Sequence, residues 1–99
     1  MEALVLSLLA NAALAADPVA GRDLAVRWCS SCHVVPGAPP PQPAQDGVPS
    51  FAAIARDYAG KSDGLKGFLV APHEPMPPLE LGVRQIDDLV AFLLAPPTR

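Results

Sequence analysis

The ten residues from Arg27 to Pro36, RWCSSCHVVP, hold both cysteines of a 99-residue chain and one of its two histidines. Two cysteines separated by two residues suit three chemistries: a redox-active dithiol, half of a zinc site, or thioether attachment of a porphyrin. The pattern is no accident of composition. With two cysteines and two histidines in a chain of this length, that spacing with a histidine directly behind arises about four times in ten thousand arrangements. Each chemistry needs different company elsewhere, so the rest of the chain decides between them.

Working outward, Asp17-Pro18 predicts a helix start, an N-cap acceptor followed by proline at the first helical position. That helix runs to about Cys29, with Leu24, Ala25 and Trp28 on one face. Beyond the cysteines, the segment from Val35 to Pro49 carries proline at 36, 39, 40, 41, 43 and 49, which excludes helix and inner strand and predicts an irregular loop. Ser50 caps a short helix, FAAIARDY, ended by Gly60; Ser62 caps another, DGLKGFLVA, stopped by Pro72. PHEPMPP, from Pro72 to Pro78, reads as a stiff extended loop. The last helix spans about Val83 to Ala95, where Ile86, Leu89, Val90, Leu93 and Leu94 recur at helical spacing and bury one face. No stretch alternates as a strand, so the fold class is all-α: four short helices joined by long proline-rich loops.

The first residues, MEALVLSLLANAALAAD, read as a secretory leader over 1–16, with Ala13-Leu14-Ala15 as a small-x-small cleavage pattern. Glu2 departs from the usual basic start, and a buried N-terminal helix is the competing reading. Cleavage after Ala15 or Ala16 leaves roughly 83 residues, one small domain from 17 to 99. A core that small rarely stands without a covalent or metal aid. The chain has 13 prolines and only 5% aromatic residues, so a bulky buried cofactor would supply the apolar mass that the side chains lack. A net charge of −3 gives no basic face for nucleic acid.

Zinc fails on ligand count. Beyond Cys29, Cys32 and His33 the only further histidine is His73, and adjacent Cys32 and His33 reach one tetrahedral centre with difficulty. A redox dithiol belongs at a helix start inside a βαβ unit, whereas this pair lies at a helix end with no strand nearby. Haem attachment fits. The thiols of Cys29 and Cys32 add across the two vinyl groups, and His33 binds the iron. A second iron ligand has to come from far along the chain. Met76 is the only methionine left once Met1 goes with the leader, and it stands between Pro75 and Pro77 rather than on a helix face where filler methionines lie. His73, three residues earlier, is its competitor.

These residues resemble the class I c-type cytochromes, the small monohaem kind, from Asp17 to Ala95. CSSCH matches the family's attachment motif, and Gly21 stands eight residues before the first cysteine, where the family has a glycine that lets its first and last helices cross closely. IDDLVAFLL resembles the closing helix, with Phe92 at the aromatic position facing that glycine, and MPP resembles the segment delivering the axial methionine. Pro49 matches the proline whose carbonyl accepts a hydrogen bond from the ligating histidine. Gly82 stands where the family often has a Ser or Thr cap.

The resemblance implies one covalent haem c and a periplasmic one-electron carrier rather than an enzyme. Its partners would be redox proteins: a dehydrogenase, an oxidase or another cytochrome. The alternatives are a haem-based gas-binding or redox-sensing protein, and an electron-entry subunit of a larger oxidoreductase. Trp28 is expected to pack near the haem edge or the helix crossing; Tyr58, Arg56, Lys61, Lys66 and Arg84 read as surface residues, the competing readings being a propionate partner for the first two and a rim of the haem edge for the other three.

Overall fold

A computed structural model describes residues 15–43, 46–72 and 76–95. It contains four helices, α1 (Pro18–Trp28), α2 (Phe51–Asp57), α3 (Ser62–Val70) and α4 (Val83–Leu93), with no strand among the described residues. The all-α expectation holds. Most of the leader, His73 and the last four residues lie outside the described segments.

Local chemistry sets most helix ends. Asp17 is extended (φ −113°, ψ 106°), and its Oδ1 accepts from the amides of Val19 at 2.9 Å and Ala20 at 3.3 Å. Pro18 needs no amide partner at the first position. Ser50 Oγ accepts from the Ala53 amide at 3.1 Å and starts α2. Gly60, at φ 72°, occupies left-handed space and turns the chain toward α3. α4 starts at Gly82, whose amide donates to Gln85 Oε1 at 2.8 Å. Glycine has no side chain to return the bond, so only half of a capping box forms.

Several boundaries differ from expectation. Ser62 is the first residue of α3 and caps nothing; the cap position is Lys61, without a side-chain bond. A turn closed by the Lys61 amide on the Tyr58 carbonyl at 2.8 Å already delivers the chain into the helix. α2 ends at Asp57 and α4 at Leu93, each shorter than the apolar pattern suggested.

α4 is the packing hub: its backbone approaches α1, α2 and α3, while the backbones of those three do not approach one another. Its main crossing is with α1, at Gly21. A Cβ on Gly21 would lie 1.9 Å from the Asp88 carbonyl oxygen, so only glycine allows the two backbones this close. The atoms opposite Gly21 belong to the Asp88 and Leu89 backbone. Phe92, expected to face that glycine, packs its ring toward Phe51, at 6.2 Å between centroids.

Ile86, Leu89, Val90 and Leu93 are buried as their spacing required, and Leu94 is half-buried. Trp28 is not: it is 58% exposed. It shares a face with Gly21 and Ala25 but lies seven residues, about 10 Å, beyond the crossing glycine, past the close contact with α4. Tyr58, read as a surface residue, is instead half-buried against the core.

Candidate functional site

α1 ends in the motif. The Cys29 amide donates to the Ala25 carbonyl at 2.9 Å, and the amides of Cys32 and His33 then both turn back to the Cys29 carbonyl, at 3.1 and 2.9 Å. This tight turn puts the two thiols in different surroundings. Cys29 is buried in the apolar core, and Cys32 is exposed; neither is in a disulfide. Burial, and then the neighbouring Cys32, push the Cys29 thiol up to about 11.

His33 is held from behind. Its Nδ1 lies 2.6 Å from the Pro49 carbonyl oxygen. A carbonyl only accepts, so Nδ1 carries the proton and Nε2 is left with its lone pair. Nε2 has no hydrogen-bond partner among the described residues. The ring also packs against Phe51, at 5.7 Å between centroids and tilted 59°. The Pro49 contact is thus present as expected from the resemblance.

Three connections fix the loop bearing His33. The Phe51 amide donates to the Val34 carbonyl at 3.0 Å, tying the start of α2 to the residue after the histidine. Gln42 clasps the loop: its Oε1 accepts from the Val35 amide at 2.7 Å, and its Nε2 donates to the Ala38 carbonyl at 3.2 Å. Arg22 Nη2 donates to the Gly37 carbonyl at 3.2 Å, docking the loop on α1. Sequence reading missed Gln42. Its signal was an amide side chain inside a proline run, where the backbone lacks the donors that would otherwise hold a turn.

Met76 is half-buried and packs against the same apolar cluster that contains Cys29, Phe51, Leu65 and Leu69. His73 lies outside the described residues. Among the described residues no three His, Cys, Asp or Glu side chains gather as a metal cluster, so Cys29, Cys32 and His33 do not converge as a zinc set would.

The donor set fits haem c. It offers two unpaired thiols three residues apart, one facing the apolar core and one facing solvent. It also offers an imidazole with Nδ1 anchored and Nε2 available, and a thioether on the same apolar cluster. Fold and site together define a small all-α protein built to hold a covalent haem. Cytochrome c-552 of Bradyrhizobium diazoefficiens is 43% identical to the chain over 83 residues, which cover 84% of this chain and 78% of that protein. No family model and no solved structure matches. The chain belongs to the c-type cytochromes, carriers of electrons with covalent haem c as cofactor. No helix among the described residues is long and apolar enough to cross a membrane.

Proposed function

We propose that the chain is a periplasmic one-electron shuttle, with Cys29 and Cys32 bonded to the haem and with His33 and Met76 as the two iron ligands. The observation that carries this reading is the His33–Pro49 hydrogen bond, which commits Nδ1 and leaves Nε2 to face a metal. Haem c supplies a one-electron iron couple. The chain's own residues do the rest. Pro49 and Phe51 fix the imidazole, which limits rearrangement when charge changes. The apolar cluster excludes water from one side of the site. Met76, stiffened by Pro77, would supply the second ligand to the iron, which would leave no site open for a substrate or gas. A thioether there favours the reduced metal relative to a second histidine.

Donor and acceptor would be other redox proteins meeting the chain in small transient contacts. The leader pattern at 1–16 supports export, and thiols bound for haem attachment need a compartment where that machinery works.

Carbon monoxide decides between carrier and sensor. Reduced protein is expected not to bind it, and oxidised protein is expected to show the weak long-wavelength band of sulfur on ferric haem. Met76→Ala should abolish the band, admit carbon monoxide and lower the potential; His73→Ala should change little. Ready uptake of carbon monoxide by the unmutated protein would replace the carrier with the gas-binding reading.

A further inference from the structure

We propose that Asp88 is the counter-charge of a processed amino terminus: removal of the leader leaves an α-ammonium on Asp17 or Ala16, and the buried Asp88 carboxylate holds it. The proposal rests on the exported reading above only in requiring that the leader is cut.

Asp88 is the one buried charged side chain among the described residues, 8% exposed, and it sits between Ile86 and Leu89 on α4. A carboxylate in such surroundings is costly unless it is strongly partnered. Its Oδ1 accepts from the backbone nitrogen of Asp17 at 2.8 Å, across 71 residues of sequence. A neutral peptide amide is a weak partner for a buried charge. The same nitrogen as an ammonium would give a charge-assisted bond roughly twice as strong.

Both cuts with alanine on the departing side bring an ammonium to this carboxylate. Hydrolysis after Ala16 makes the observed donor itself the terminus. Hydrolysis after Ala15 puts the amine on Ala16, which lines a surface groove with Val83, Arg84, Asp87 and Asp88. Asp87 is engaged by Lys66 at 3.2 Å, so Asp88 is the carboxylate that meets the terminus. Either cut consumes one water and is performed by a leader peptidase. The hydroxyl stays on the released alanine carbonyl, a hydrogen goes to the nitrogen, and the proton shed by the new carboxyl completes the ammonium.

Helix α1 is indifferent to the cut, because its cap is Asp17's own side chain and its first residue is Pro18. A bare ammonium at a helix start is opposed by the macrodipole. The carboxylates of Asp17 and Asp88 offset that repulsion, which gives a physical reason for an acid in the buried face of α4.

The test uses the full chain, leader included, expressed in a bacterium that matures c-type cytochromes. Intact mass is expected to place the first residue at Ala16 or Asp17. Reductive methylation with ¹³C and an NMR titration then read the α-amine, which faces the acids Asp17, Asp87 and Asp88 and the base Arg84. Its midpoint should lie roughly one unit, or tenfold in proton affinity, above the ordinary range of about 7.7–8.0. Asp88→Asn should return it to that range, while Asp87→Asn should leave it high. Any other first residue, Met1 included, or an ordinary midpoint in the unmutated protein, overturns the proposal. If Asp88→Asn does not fold, the unmutated titration decides alone. Haem staining of the same sample reads the haem assignment separately: a haem-bearing chain with another terminus sinks only this inference, and a colourless chain starting at Asp17 sinks only the haem reading.

Discussion

Two cysteines three residues apart differ in what surrounds their sulfur atoms, and that difference is measurable. The thiolate is the reactive form, so a thiol pushed up to about 11 by burial is almost wholly protonated near neutrality. In haem-free protein under native conditions near pH 8, iodoacetamide should label exposed Cys32 more than about tenfold faster than Cys29. Labelling of Cys29 should accelerate as pH climbs toward 11. Peptide mass spectrometry checks both, and equal rates would mean that Cys29 is not enclosed before haem is attached. At this scale the sequence was most legible where chemistry is local. The spacing of Cys29, Cys32 and His33 speaks for itself, because the site is one turn of chain. Asp88 and Gln42 were not legible, since each acts on a partner that only the fold brings near. Trp28 stays outside the helix crossing for a related reason: periodicity gives the direction of a side chain but not how far a neighbouring helix extends.

Among the elements, the crossing of α1 and α4 is the least tolerant of change. Gly21→Ala would drive a methyl group into the Asp88 backbone, and backbone cannot swing aside as a long side chain would. The helices must separate, at a cost of about 3 kcal/mol or more. Urea unfolding of the haem-loaded protein measures this, and a loss under about 1 kcal/mol would place the crossing elsewhere. Capping substitutions should be milder. Ser50→Ala removes the acceptor for the Ala53 amide and should lose about 1 kcal/mol by the same measurement. Lys66→Ala deletes a pair whose members are both well exposed, and a change beyond about 1 kcal/mol is not expected. Helix existence was readable from apolar spacing and from Asp17, Ser50 and Gly82. Helix ends were less so: a turn closed at Tyr58 delivered α3, making Ser62's capping ability irrelevant.

For the molecule as a whole, the scarcity of aromatic residues and the abundance of proline leave the cofactor with a structural duty. Cys29→Ala combined with Cys32→Ala should abolish haem colour on a denaturing gel, whereas the unmutated protein should keep it. Calorimetry of the double variant should show melting lowered by more than about 15 °C, as expected when a tightly held group that binds only the folded state is lost from a domain this small. Haem extractable from the unmutated protein by acidified solvent would contradict the attachment.

The position of α4 sets an order of events. Among the described residues α4 is the one helix whose backbone approaches all three others, and it follows them in the chain. A polypeptide made, or threaded through a membrane, from its amino end therefore offers three helical segments that still lack their common packing partner. During that interval the motif after α1 stays open, with both sulfurs reachable by whatever attaches the cofactor. Arrival of Ile86, Leu89 and Val90 then shuts the core in one step. A chain stopped before Val83 should accordingly stay expanded and sensitive to protease, however well its first three helices are capped. Late closure makes the carboxyl end the timer of maturation.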